Sequence, residues 1–311
     1  MITMNDPITT PLGRRRVLAL LGGVAAAGLL PARSVSAEDT SHSALAFDGN
    51  ALVVAGAQVW RFDPVGDAIL LPAPRSPIRA LACHPDRPGR LFAALDGGGL
   101  DKSDDGCRTW SATSGELPRT QVTALAIAAG APDTICAALA GDGLWRSEDA
   151  GTSWSFVMDR PWLAEAEREV LSLASVNLAS GMGGIWVYAG TDQGVTRVPD
   201  CFCRWQNVVA GDAMGALVAG TPPAPDAPLP EDEPVSALVS AHSAPERLYA
   251  ALPSGLWTSA DGGVAWENRS NLQAWALAVD TADPDHIAAT SNTELKHSRD
   301  GGATWATLAA F

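Results

Sequence analysis

Ser103-Asp104-Asp105-Gly106-Cys107-Arg108-Thr109-Trp110 is the stretch whose reading decides the fold, because the chain repeats its pattern. The same register returns as Ser147, Asp149 and Trp154, as Ser259, Asp261 and Trp266, and as Ser298, Asp300 and Trp305. Glycine fills the fifth position at Gly151, Gly263 and Gly302, and Cys107 takes it in the first copy. The pattern is S-x-D-x-G-x-x-W. A turn between strands leaves backbone N–H groups unpaired; an aspartate carboxylate can accept from them while the glycine takes up positive φ. The tryptophan then opens the next strand, packing its apolar face on the hairpin and offering its indole N–H to a carbonyl.

The flanks repeat as well. A strand-like run precedes each box, as in Leu91-Phe92-Ala93-Ala94, Ile135-Cys136-Ala137-Ala138, Leu248-Tyr249-Ala250-Ala251 and Ile287-Ala288-Ala289-Thr290, and Val187-Tyr188-Ala189-Gly190 matches them without a full box. Most of these runs lead through a short turn into Gly-Leu or Gly-Val at Gly99, Gly143, Gly194 and Gly255. An earlier strand is visible at Ala80-Leu81-Ala82, Ala124-Leu125-Ala126, Leu171-Ser172-Leu173, Ala237-Leu238-Val239 and Ala276-Leu277-Ala278. Each repeat thus offers four short strands, the content of one propeller blade, and a period of about 40 to 45 residues suits that reading. The expected fold is all-β, a single β-propeller of about six four-stranded blades, seven being the alternative count. The first repeat, from about Ser43, has lost its box; the fourth keeps only Asp200 and Trp205 in register.

The repeat resembles the Asp-box, or BNR, repeat, and the likeness covers most of residues 43–311. It implies that the box turns join third to fourth strands on one face of the disc, away from the usual ligand face. Sialidases share the box, and that family implies a tyrosine nucleophile and an arginine triad. Only Tyr188 and Tyr249 are present here, both at one repeat position that reads as strand core. Xyloglucan-degrading propellers resemble two-propeller enzymes with one carboxylate on each, so a single disc offers half such a cleft. In size and repeat style the chain is more similar to photosystem II stability and assembly factor-like propellers and to sortilin-type repeats, which implies a protein-binding disc. It departs from the assembly factors in lacking an arginine cluster beyond the leader and in having only Lys102 and Lys296 as lysines.

The recurring Ser, Asp and Trp of the boxes are therefore read as braces, and no catalytic residue is assigned. Candidate binding residues fall on the opposite face. Asp96, Asp142, Asp192 and Glu294 sit in turns between second and third strands, and two insertions, near 155–168 and 206–233, contribute Trp162, Glu165, Glu231 and Asp232. The residues after Trp162 favour a short helix; the proline-rich part of the second insertion suits a solvated loop. Both insertions read as tolerated surface segments or as an acidic rim gripping a partner. The expected function is an exported, non-catalytic protein-binding or assembly scaffold, with a carbohydrate-active enzyme as the alternative.

The N-terminus supplies the expected destination. Arg14-Arg15-Arg16 followed by the apolar run 17–30 resembles a twin-arginine export signal, with Val35-Ser36-Ala37 as the cleavage site, so residues 1–37 are assigned to a leader and 38–311 to the propeller. The run is shorter than the roughly 20 residues that span a bilayer, and no transmembrane segment is expected after cleavage. The protein should then be periplasmic or extracellular, its partner a protein, in one version part of a membrane-associated complex. Without residues 1–37 the charge is 17 basic against 34 acidic groups, a formal −17 where the whole chain has −14. Such a surface repels nucleic-acid backbones, and no nucleic acid is expected. Cys83 and Cys136 lie in apolar runs; Cys201, Cys203 and Cys107 could form one disulfide whose pairing the sequence does not give. The histidines, at 42, 84, 242, 286 and 297, show no metal-ligand spacing, so neither metal nor cofactor is assigned.

Overall fold

A computed structural model describes residues 44–178, 184–210, 227–291 and 294–310. The expected leader, and residues 211–226 of the second insertion, lie outside them. The first blade comprises β1 (Ala44–Asp48), β2 (Ala51–Ala55), β3 (Val59–Phe62) and β4 (Ile69–Leu71). The second has β5 (Ile78–Cys83), β6 (Leu91–Leu95), β7 (Leu100–Ser103) and β8 (Ser111–Ala112), and the third has β9 (Val122–Ala128), β10 (Ala131–Leu139), β11 (Gly143–Ser147) and β12 (Ser155–Asp159). A small hairpin, β13 (Trp162–Leu163) and β14 (Ala166–Glu167), precedes the fourth blade of β15 (Val170–Asn177), β16 (Ile185–Thr191), β17 (Gly194–Pro199) and β18 (Gln206–Asn207). The fifth holds β19 (Ala237–Ala241), β20 (Ala244–Leu252), β21 (Gly255–Ser259) and β22 (Glu267–Ser270); the sixth holds β23 (Ala276–Val279), β24 (Ile287–Ser291), β25 (Glu294–Ser298) and β26 (Ala306–Ala310). All six sheets are antiparallel meanders in chain order, so the count is six, not seven.

Burial explains the strand chemistry. The two inner strands of a blade are covered on both faces by neighbouring blades, and they read as continuous apolar runs: β1, β2 and β6 are buried throughout. The residues that open the second-strand repeat, Leu91, Ile135, Leu248 and Ile287, are at most 1% exposed, and each such burial contributes about 1.5–3 kcal/mol. Fourth strands form the outer edge, which is why β4, β8 and β22 are largely exposed and short.

The innermost strands close a ring, β1 beside β5, β5 beside β9, then β15, β19 and β23, which returns to β1. Among the described residues the first and last blades share no sheet, and each is built from one contiguous segment. Their seam is packed by Leu45, Phe47, Leu52 and Val54 set against Ala278, Ala288 and Leu295. Side chains tie the other blades together: Thr123 Oγ1 donates to Val170 O at 2.7 Å, Ser172 Oγ to Val235 O at 2.9 Å and Ser240 Oγ to Ser175 O at 2.8 Å.

Two readings of the insertions change. Ser155–Asp159 and Gln206–Asn207 are the fourth strands of their blades, so the first connection begins at residue 160 and the second after 207. The segment after Trp162 forms no helix. A few residues cannot offset helix nucleation, and Ala164 and Glu165, at φ 48° and 61°, make a two-residue hairpin turn instead. Arg168 fastens it, donating from Nε to Leu163 O at 3.0 Å and from its backbone N to Pro161 O at 2.8 Å.

Candidate functional site

In the box turns, the serine and aspartate act as one clamp. Ser103 Oγ donates to Asp105 Oδ1 at 2.9 Å and accepts from Cys107 N at 2.9 Å. Asp105 Oδ1 then accepts from Arg108 N and Thr109 N, and Oδ2 from the Thr109 hydroxyl at 2.7 Å. Ser147 with Asp149 and Ser298 with Asp300 repeat this arrangement, with Ser153 and Thr304 as the hydroxyl donors. Ser259 and Asp261 keep the backbone bonds, but Ala265 stands where the hydroxyl would be.

Most of the box indoles bridge blades. Trp154 Nε1 donates to Gly151 O in its own turn and to Thr113 O of the preceding blade, both at 3.1 Å. Trp305 bonds Gly302 O and Ser270 Oγ in the same way, Trp110 reaches Pro72 O, and Trp266 bonds Gly263 O. Even the worn fourth box keeps this link, Trp205 Nε1 donating to Asp159 O at 2.7 Å. The tyrosines also tie one blade to the next: both are 0% exposed, Tyr188 donating to Gly262 O and Tyr249 to Pro284 O.

Hydrogen bonds from Thr109 hold the Asp105 carboxyl down at about 2, those from Ser153 hold Asp149 at about 2, and those from Thr304 hold Asp300 well below the carboxylate range. A folded-state pKa below the unfolded value of about 3.9 stabilises the fold above about pH 4, and that contribution disappears as pH falls toward 2. Urea titrations between pH 2 and 7 should therefore show stability falling steeply over that window. Asp→Asn variants at 105, 149 and 300 should be less stable at pH 7 and flatter below pH 4; an unchanged slope would contradict the clamp.

The opposite face carries the turns between second and third strands and the connections between blades. Each predicted turn acid there is engaged. Asp96 accepts from Arg79 Nε at 3.0 Å, Asp142 from the Trp145 indole at 2.6 Å, and Asp192 pairs with Arg168 at 3.3 Å. Glu294 lies 2.6 Å from Lys296 Nζ, which lowers its pKa. Trp162, Glu165, Glu231 and Asp232 are exposed. They occupy two successive connections, from third to fourth and from fourth to fifth blade. The next connection adds Trp275, 63% exposed like Trp162, which the sequence reading missed. A signal existed: Trp275 falls outside the box and third-strand positions that most tryptophans of the chain occupy.

Asp101 was also missed. It lies on β7, 4% exposed, 3.2 Å from Arg75, and burial raises its pKa. Its carboxylate is thus buried with a half-exposed cation beside it.

A central cavity of about 160 Å³ lies between the inner strands toward the box face, lined by Ala46, Ala82, Ala126, Ala174 and Ala278 among others. His84 of the second blade and His242 of the fifth meet edge to face across it, ring centroids 5.2 Å apart. The His84 ring is committed at both nitrogens, Nδ1 accepting from Asp86 N and Nε2 lying 3.2 Å from Ala129 O. Among the described residues no three His, Cys, Asp or Glu converge as metal ligands. The cavity is well below the roughly 300–1,000 Å³ of small-molecule sites.

Fold and surface together define a six-bladed β-propeller braced by S-x-D-x-G-x-x-W turns, with an aromatic and acidic sector on the face away from them. No family model matches the chain, and no curated protein matches it. Solved structures do. A GH74 enzyme from Niastella koreensis aligns with a TM-score of 0.59 and 16% identity over 86% of this chain, which spans only 45% of that enzyme. YCF48 from Cyanidioschyzon merolae aligns at 0.53 and 15% identity, covering 90% of each chain. A structure of YCF48 bound to D1 peptide aligns at 0.50 and 14%, over 89% of this chain and 87% of that one. At such identities the likeness is one of fold.

Proposed function

We propose that this chain is an exported protein-binding scaffold that holds a cationic, partly apolar segment of a partner on the face opposite the box turns. The carrying observation is the exposed sector of Trp162, Glu165, Glu231, Asp232 and Trp275 on three successive blade connections. Tryptophans so exposed, in a chain whose other indoles mostly brace the fold, supply flat apolar contact and cation–π faces, and the acids supply complementary charge. The YCF48 structure with a D1 peptide adds that a propeller of this size and fold holds a peptide. Hydrolysis of a glycoside would need two carboxylates facing one substrate. Asp101 is buried and ion-paired, and each turn acid is tied to a neighbouring side chain.

Export through the twin-arginine leader, a periplasmic or extracellular location and a membrane-associated complex as the partner's home belong to the same proposal. They rest on Arg14-Arg15, the apolar run and the acidic mature surface. Among the described residues no helix is long and apolar enough to cross a membrane. The test is a titration of the purified protein with Arg/Lys-rich peptides carrying aromatic residues, beside a xyloglucan oligosaccharide and a fluorogenic glycoside panel. Peptide binding should saturate and weaken with salt, with no glycoside turnover. Turnover that is lost on substituting Asp96, Asp142 or Asp192 would replace this reading with the enzymatic one.

A further inference from the structure

The cysteines fall into two populations. Cys107 and Cys136 are buried and Cys83 is half-buried with its thiol bonded to Phe47 O; desolvation pushes all three thiols up to about 12. Cys201 and Cys203 are exposed and joined to each other across a single residue. They sit in the third-to-fourth-strand turn of the fourth blade, where the Ser-Asp clamp has been lost. Phe202 occupies the box-glycine position at φ 50°, a conformation that a bulky residue adopts only under strain.

We propose that the Cys201–Cys203 disulfide is a redox-active site that exchanges with thiols and accepts electrons from a thiol pair. Three observations carry it. The bridge joins residues two apart, so the unfolded chain already holds these thiols close and the fold adds little to the bond. Whatever a disulfide gives the fold, the fold gives the disulfide, so a bridge that constrains the chain so little is weakly protected from reduction. Both cysteines are exposed and so open to an attacking thiolate. The surroundings include cations in an otherwise acidic protein: the Arg146 guanidinium lies 5.3 Å from the Phe202 ring centroid and bonds Asp200 O, and Arg204 is adjacent and exposed. Glu148, paired with Arg146, and Asp200 are the neighbouring anions. Cations beside a sulfur favour its departure as thiolate.

The reaction balances. A thiolate attacks one exposed sulfur, the S–S bond breaks, and the other cysteine leaves as thiolate and takes up a proton. A second thiolate attacks the outer sulfur of the mixed disulfide, releasing the first cysteine, which is protonated in turn. Two electrons and two protons pass from two thiols to the cysteine pair, and the thiols depart as a disulfide.

Full-length protein equilibrated with mixtures of reduced and oxidised glutathione, quenched with an alkylating agent and read by peptide mass, tests this. The Cys201–Cys203 pair should be reduced at a thiol ratio within about tenfold of that for a free Cys-Phe-Cys peptide, while circular dichroism stays native and Cys107 and Cys136 stay unlabelled. Cys201→Ser and Cys203→Ser should each trap a glutathione mixed disulfide on the remaining thiol. A pair more than tenfold harder to reduce than the peptide, reduction only on unfolding, or no mixed disulfide in either variant would overturn the proposal.

Discussion

Gly255→Ala should lower the stability of the propeller by about 4 kcal/mol, although it adds only one methyl group. Gly255 opens β21 at φ +130°, and a Cβ there would stand 2.3 Å from Ser270 O at the end of the neighbouring β22 and 3.0 Å from Asn271 Cα just beyond it. Both obstacles are backbone, so relief requires parting the outer strand from its partner next to an existing irregularity between Leu256 and Trp257. The left-handed conformation adds about 1–2 kcal/mol for any L side chain. Gly194 holds the same repeat position in the fourth blade, at φ +110°, with nothing within 4 Å of its would-be Cβ, because β18 is too short to reach it. Gly194→Ala should therefore show the conformational part alone, about 1–2 kcal/mol. Urea midpoints for the two variants measure the difference, which is the steric part; equal losses would show that the close approach of β22 contributes nothing.

Replacing both Trp162 and Trp275 with alanine should weaken peptide binding by about 10²–10³-fold while leaving thermal stability within roughly 1 °C. Each indole is 63% exposed, so little apolar burial is lost from the free protein. Interface tryptophans lose about 2 kcal/mol or more on truncation, near thirtyfold each, and the two lie on connections separated by two whole blades, so their effects should add. The Trp→Phe pair should recover much of the affinity, since a ring face is retained. Wild-type affinity in the alanine variant would place the partner elsewhere, with the cavity side of the ring as the next surface to probe.

The box turns were legible because they are local. Serine, aspartate, glycine and tryptophan act within eight residues, so the clamp at Ser147, Asp149 and Gly151 can be read without knowing where the chain goes next. The worn fourth box shows the limit of that legibility. Trp205 keeps its bond to the preceding blade and Phe202 keeps the left-handed backbone, yet the Cys201–Cys203 bridge between them could not be told from a pairing with Cys107. The company of the rim residues is what the sequence does not show. Asp96, Asp142 and Asp192 look free in sequence, but Arg79, the Trp145 indole and Arg168 reach them in the folded blades. The hairpin at 162–167 was misread because helix propensity in so short a segment yields to whatever the flanking blades and Arg168 impose.

By itself the sequence determined the blade: four strands, a braced turn and buried second-strand residues, repeated, since each depends on side chains acting on their own stretch of backbone or on a period of two. The tertiary structure decided the ring. Only closure brings β23 to β1 and sets His84 against His242 across the axis. Those outcomes depend on how six nearly equivalent sheets share the space around one axis, and no local pattern encodes that geometry.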